Sequence, residues 1–452
     1  MDNIHGKSDI ARQTFGANPP EDAWDASVKV LIVVGLGMLL WSSIRASSLS
    51  HLAHLVQRHA VAAALVKPSL VWLAMGSLLL SFRTMLWFRY RPAAAATSDD
   101  ALSMSVVIPA YNEGAMVAKA IDSVAAADYP HDRLQIVVID DGSTDDTWTH
   151  IQHAAAKHGS RVRAVRLKRN EGKRHALAAG FRLSDGEILV TVDSDSVIEP
   201  GALLALAGPF RRQRVGVVAG RVLVYNRHEG LIPRMLHVRF VLAFDFLRAY
   251  QSTFGTVYCS PGALSAYRAT AVKRVVDAWL GQRFLGAPAT YGEDRALTND
   301  ILRLGYDSVY QRTASVLTVV PTTYWKLCMM FLRWERSFVR EELRFAAIVW
   351  RRPPRSMLLA LADMTITNLR YPAMYASMVL IAIGIFEDPL ILPRMVLAMA
   401  AISLLYSLYF LRSERSLDVL YGVLFAFFSF CCLFWIPAYA VATVRKRGWL
   451  TR

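Results

Sequence analysis

Two carboxylates one residue apart, Asp193 and Asp195, stand where a short apolar run over residues 188–192 stops. The run reads as a buried strand, and in open α/β sheets ligands bind at the carboxyl ends of the strands. Such a pair can hold a divalent cation bound to a diphosphate; the same letters also describe a loop with solvated Asp residues. Other residues offer matching chemistry. Asp141, between Asp140 and Gly142, can accept hydrogen bonds from a uracil N–H or ribose hydroxyls, although Asp, Gly and Ser equally make turns and N-caps. Lys173 lies where a basic group can meet a phosphate near a helix start, or where a lysine is merely solvated. Asp294, in Gly292-Glu293-Asp294-Arg295, can take the proton of an attacking hydroxyl or form the acidic first turn of a helix. Trp334 offers an indole face to a pyranose ring, and Arg333 a guanidinium to a diphosphate. A Trp near apolar segments is also a plain membrane anchor.

These residues need a sheet edge to bring them together. From Ser103 the chain alternates strand, loop and helix. A strand at 104–108 leads into the loop 109–114 and a helix at 115–127; a strand at 134–139 runs into Asp140-Asp141-Gly142-Ser143-Thr144. A helix at 145–157, a strand at 162–167, a helix opened by residues 169–174 and the strand ending at Asp193 follow. Strands alternating with helices of about a dozen residues predict an α/β domain with a mostly parallel sheet. Its expected extent is 103–320, with one sheet edge forming a site.

The rest of the chain is of another kind. With 54% hydrophobic residues in 452, and the apolar ones gathered at the two ends, this is not an ordinary soluble protein. Residues 1–27 form a polar tail unlike a cleaved signal peptide, and 28–91 carry two expected membrane helices, at 28–44 and 69–88. Arg83 lies near enough to the end of the second to snorkel. Residues 321–370 predict basic amphipathic interface helices, and 371–444 later spans at 371–386, 392–411 and 417–444. Net charge is +15, but many Lys and Arg sit beside apolar stretches, where the positive-inside rule accounts for them, so no nucleic acid is expected as partner. The four cysteines have neither metal-ligand spacing nor disulfide-scaffold density. Two early spans keep the tail and the α/β domain on one side, and three full later spans would leave Arg445-Lys446-Arg447 on the other. One late segment is therefore expected to be re-entrant or interfacial, 417–444 with Pro437 being the first choice, or 357–386 conceals an extra crossing.

PAYNEG, VIDDGSTDDT, NEGKRHAL, VDSD, CSPGALSAYR, YGEDRALTN, LRWERSFVRE and GWLTR occur in one order along 103–452. In that order they resemble the family 2 processive glycosyltransferases, most closely the hyaluronan synthase, chitin synthase and nodulation chito-oligosaccharide synthase branch. The resemblance implies a cytosolic glycosyltransferase-A (Rossmann-like) domain inserted between N- and C-terminal membrane helices of a multi-pass inner (plasma) membrane protein. It implies inverting transfer from a UDP-sugar to a growing β-linked polysaccharide. It places Ala110, Tyr111, Glu113, Asp141, Lys173 and Asp193 around the donor nucleotide, and Mg2+ or Mn2+ on Asp195 with Asp193. It makes Asp294 the general base beside Glu293, and puts Ser260, Pro261, Gly262, Arg333 and Trp334 on the acceptor side, with Cys259 facing it. Trp449 and Arg452, in a cytosolic terminal motif at 445–452, would close over the nucleotide. UDP-GlcNAc is the first expectation for the donor, with UDP-GlcA or UDP-Glc open.

One departure bears on the product. The family signature Gln-x-x-Arg-Trp, with a second Gln often before it, has Met330 and Met329 at the Gln positions here. Met cannot donate an amide hydrogen bond, so contacts to acceptor or diphosphate must be made otherwise. A non-processive transferase acting on a lipid-linked or short acceptor is the alternative reading.

Overall fold

The computed structural model describes residues 23–46, 60–387 and 389–446. The chain forms two compact units, one containing Tyr90–Met357 and the segment from Trp435, the other containing the early helices and Leu358–Phe434.

The first unit is an α/β domain built on an eight-stranded sheet. Its strands are β1 (Met104–Ala110), β2 (Leu134–Asp140), β3 (Val162–Arg166), β4 (Ile188–Val192), β5 (Ser196–Ile198), β6 (Val215–Val224), β7 (Leu264–Arg268) and β10 (Asp307–Thr318). A small hairpin of β8 (Arg283–Phe284) and β9 (Ala287–Pro288) stands apart. The spatial order is β3-β2-β1-β4-β7-β6-β10-β5. Strands β1 to β4 pair in parallel, as the alternation predicted. The apolar runs of β1, β2 and β4 are buried on both faces, as covered parallel strands require, whereas the edge strand β3 is largely open. Strand β7 departs from that pattern: it runs antiparallel between β4 and β6, although it follows β6 in sequence. Helices Lys173–Arg182, Ala269–Leu280 and Glu293–Arg303 cover the sheet through Phe181, Trp279 and Ile301. Gly180 permits a close approach of helix to sheet, since a Cβ there would lie 2.2 Å from a Val107 methyl.

The second unit consists of long helices, Ala23–Ala46, Ala60–Arg89, Pro354–Glu387, Ile391–Glu414 and Val419–Cys432. Among the described residues three segments are long and apolar enough to cross a membrane, Ala23–Ser42, Pro354–Phe386 and Ile391–Glu414. The interval 357–386 is one continuous helix that also runs through position 370, so no extra crossing is concealed there. The 417–444 stretch is broken into Val419–Cys432 and Trp435–Ala442. Pro437 is not the break point; it sits in the first turn of the second helix, where a missing N–H leaves no bond unmade.

Arg83 is paired between helices. Its guanidinium meets Asp363 Oδ1 at 2.5 Å and donates to Thr367 Oγ1 at 2.5 Å, both on the Pro354–Glu387 helix. A second interhelical pair joins Arg412 to Asp25 at 2.6 Å, with the guanidinium 4.4 Å over Trp87. Removing one partner of a buried pair strands the other charge, at a cost of about 3–5 kcal/mol. Arg83→Ala is thus expected to lower the melting temperature in detergent. Combining it with Asp363→Leu should recover most of the loss, and equal melting of Arg83→Ala and wild type would remove the pair from the account.

Candidate active site

The loops leaving β1 and β2 are locked to one another. Ala110, buried at the end of β1, accepts the Asp141 N–H at 2.8 Å. Asn112, at φ +52°, donates its N–H to Ser143 Oγ at 3.0 Å and accepts the Thr144 N–H at 2.9 Å. The Glu113 N–H donates to Thr147 Oγ1 at 2.8 Å, and its carboxylate accepts the Ser194 hydroxyl at 2.9 Å, which ties this loop to the end of β4. Tyr111 is half-buried between these contacts.

The turn-and-cap reading describes Asp140, which is buried and accepts the Ser143 N–H at 3.0 Å while facing Arg166 at 3.0 Å. Asp141 organises the next loop. Its two oxygens accept the Glu171 N–H at 2.9 Å and the Gly172 N–H at 2.8 Å. Burial pushes its pKa up, against the lowering by those two donors. Each oxygen keeps a second lone pair for a ligand. Gly142, at φ +72°, is required here, because a Cβ would lie 2.6 Å from the Arg169 carbonyl carbon. Asp141 thereby presents the loop that carries Lys173.

Lys173 is where distant parts of the chain converge. Its ammonium lies 2.5 Å from Asp193 Oδ1 at the end of β4 and 3.3 Å from Glu293 Oε1 on the Glu293–Arg303 helix. Burial alone would lower the pKa of Lys173, but the Asp193 and Glu293 carboxylates outweigh it and hold it above the usual lysine range. Gly262 covers this cluster: a Cβ there would lie 3.0 Å from Lys173 Nζ and 3.5 Å from Asp193 Oδ1. Asp195 is held by the Ser196 and Thr318 hydroxyls, which donate to Oδ1 at 3.2 and 3.3 Å.

Asp193 and Asp195 supply hard oxygen donors suited to Mg2+ or Mn2+. Among the described residues no group of three or more His, Cys, Asp or Glu side chains is gathered around one point. A cation here would draw its remaining oxygens from a bound ligand and water, as Mg2+ commonly does at phosphates. The bare Cα of Gly262 leaves room beside Asp193 for that ligand. The residues fit such an ion.

The Glu293–Arg303 helix is introduced by Gly292 at φ +72°, where a Cβ would collide with Ser337 Oγ at 1.9 Å. Burial would raise Glu293, but Lys173 foremost, with Arg333 and Arg174, holds its carboxyl below the usual range. Asp294 moves the other way: burial and repulsion from Glu293 push it up, beyond what the Arg295 N–H and Lys173 offset. Two adjacent carboxylates are thus driven apart, one fixed as an anion and the other made more basic.

On the acceptor side the expected contacts divide. Ser260 is fully buried, hydrogen-bonded to Thr298 Oγ1 at 2.7 Å and Tyr267 Oη at 3.0 Å, so its hydroxyl shapes the loop and does not line it. Pro261 is buried too, and its carbonyl accepts the Ser265 hydroxyl at 2.6 Å. Gly262 alone of the three meets the charged cluster. Trp334 is 41% exposed and packs near Phe331 and Phe240, with centroids 5.5 and 6.0 Å away. Arg333 is half-buried near Glu293, whereas Met330 is buried and Met329 half-buried. Trp449 and Arg452 lie outside the described residues; the described chain ends at Lys446, whose carbonyl accepts the Tyr291 hydroxyl at 2.9 Å, one residue before Gly292.

Residue types alone do not reveal the scaffold behind the Glu293–Arg303 helix. Glu341, fully buried, accepts from Gln282 Nε2 at 2.6 Å, Asn299 Nδ2 at 3.2 Å and Arg344 Nη1 at 2.8 Å. It ties helix Tyr324–Ile348 to helix Glu293–Arg303. An amphipathic pattern labels Glu341 as a surface charge, and only tertiary contact reveals it as a hub.

Known proteins are similar to this chain in sequence and fold. The family model described as glycosyl transferase family 2 matches residues 105–276. An N-acetylglucosaminyltransferase of Mesorhizobium japonicum is 31% identical over 352 residues, 77% of this chain and 82% of that protein. A hyaluronan synthase of Streptococcus pyogenes is 32% identical over 380 residues, 81% of this chain and 86% of that protein. Among solved structures, a mannosyltransferase from Pyrobaculum calidifontis in complex with GDP-Man and Mn2+ superposes with TM-score 0.58 at 21% identity, covering 82% of this chain and 99% of that one. That likeness is one of fold.

Proposed function

The chain belongs to glycosyl transferase family 2, and from that premise we propose that it is a membrane-embedded, inverting, processive UDP-sugar transferase. It polymerises a β-linked, hyaluronan- or chitin-like polysaccharide and passes the product through its own membrane helices. Its catalytic unit faces the cytosol, where nucleotide sugars are made. UDP-GlcNAc is the first donor to try, in keeping with the names of the relatives; UDP-GlcA and UDP-Glc follow.

The observation that supports this most directly is the Lys173 ammonium between Asp193 and Glu293, the residue before Asp294. It joins a diphosphate-and-metal end to a base end within one cluster. Asp193 and Asp195 would hold Mg2+ or Mn2+, which when bound offsets the charge that develops on the leaving diphosphate. Lys173 adds a cation at the same pole. Glu293 is tied to Lys173 and leaves Asp294 to take the proton. The acceptor hydroxyl gives that proton to the Asp294 carboxylate as its oxygen bonds to the anomeric carbon, opposite the departing UDP. An α-linked donor thereby becomes a β-linked product. Trp334 offers a stacking face for the acceptor ring.

Buried Met330 favours a second reading, single additions to a lipid-linked or short acceptor, because no side-chain amide grips the chain at that position. Product length separates the two. Purified enzyme given UDP-sugar alone is expected to make long polymer; one-sugar products on a lipid acceptor would establish the second reading in place of the first.

A further inference from the structure

The Asp294 carboxylate is held at both oxygens. The Arg295 N–H donates to Oδ1 at 2.7 Å, and the Cys259 thiol donates to Oδ2 with the sulfur 3.7 Å away. Cys259 is itself fixed: Arg248 Nε–H donates to its carbonyl at 3.0 Å, and the next residue, Ser260, is locked to Thr298 at 2.7 Å. The Arg295 guanidinium neighbours the Cys259 sulfur and interacts with it electrostatically. That guanidinium is set in turn by the Tyr324–Ile348 helix, lying 4.8 Å over the Phe338 ring and 3.5 Å from Glu342. The thiol proton has two acceptors 3.7 Å from the sulfur, Asp294 Oδ2 and the Ser260 carbonyl, and the charged carboxylate is the stronger of the two. The charged groups that act on the carboxylate are Glu293, Lys173, Arg295 and Arg248.

We propose that Cys259 is a positioning residue for sugar transfer, its thiol fixing the Asp294 carboxylate with a lone pair turned to the acceptor hydroxyl. The proposal rests on the reading of Asp294 as general base. A carboxylate free to rotate faces the hydroxyl only part of the time, and misalignment of a reacting group is costly. The thiol is a weak donor, so it sets the rotamer without cancelling basicity. Burial and the Asp294 charge push the Cys259 thiol up to about 11, which keeps its proton in place at neutral pH.

The test is UDP release by the full-length purified enzyme across pH, with whichever of UDP-GlcNAc, UDP-GlcA and UDP-Glc is turned over. Cys259→Ala is expected to lower kcat about 10-fold with KM for the UDP-sugar unchanged. It should also move the acid limb of kcat up by about half a pH unit, because a lost donor to the anion raises its proton affinity. Cys259→Ser, which restores a donor, should recover most of both. A wild-type kcat and limb in Cys259→Ala overturn the proposal, as does equal loss in Ala and Ser, the mark of packing alone. If Cys259→Ala does not accumulate, Cys259→Val against Cys259→Thr makes the same comparison at matched volume. Failure of the base reading shows separately, as full transfer by Asp294→Asn.

Discussion

Replacing Asp294 by Asn is expected to cut transfer by roughly 10²–10⁴-fold while leaving UDP-sugar binding within about threefold. The substitution keeps volume and the hydrogen bond from the Arg295 N–H but removes the proton acceptor. Its effect should fall on kcat, since the acceptor proton moves only in the transition state. The same group is expected to set the pH dependence. Burial and the neighbouring Glu293 raise the Asp294 pKa, so its basic form is lost as pH falls through that raised value. Activity should decline on an acid limb above the ordinary carboxylate range of about 4. Asp294→Asn should show no such limb in its residual activity. Full activity in Asp294→Asn, measured as UDP release, would remove it from the base role.

The second large effect is expected on removing divalent cations. Chelation should stop UDP release, and Mg2+ or Mn2+ should restore it, because charge stabilisation at a leaving diphosphate is worth several kcal/mol, or more than about 10²-fold in rate. Asp195→Asn isolates the protein's share. The amide oxygen can still accept from Ser196 and Thr318, which hold Oδ1 at 3.2 and 3.3 Å, so the loop should stay in place while the charge is lost. This variant should need at least about 10-fold more metal for half-maximal rate. Release that is indifferent to chelator would remove the metal from the account and leave the diphosphate to Lys173.

What could be read ahead of the structure follows the range of the interactions involved. Strands β1, β2 and β4 were legible because each is a short apolar run followed by acidic or small polar residues, and β3 by its place in the strand–helix alternation, both local patterns. Strand β7 was not: LSAYR is five residues without alternation, and its place between β4 and β6 is set by long-range pairing. The site divides in the same way. Asp193, Asp195 and Asp294 announced themselves by type and position, but nothing local tells that Lys173 reaches both Asp193 and Glu293. Type and position point Asp141 at a nucleotide but do not tell that its two oxygens also hold the Lys173 loop, and Ser260, expected on the acceptor-side loop, is buried behind Cys259. Arg83 looked like a snorkelling charge because its partner, Asp363, comes 280 residues later.

UDP release by the purified protein against a panel of UDP-sugars, each with Mg2+ or Mn2+, tests the central claim most directly. Metal-dependent release with at least one of UDP-GlcNAc, UDP-GlcA and UDP-Glc, accompanied by a β-linked saccharide product, is the predicted result. No release from any of them with either metal would contradict it.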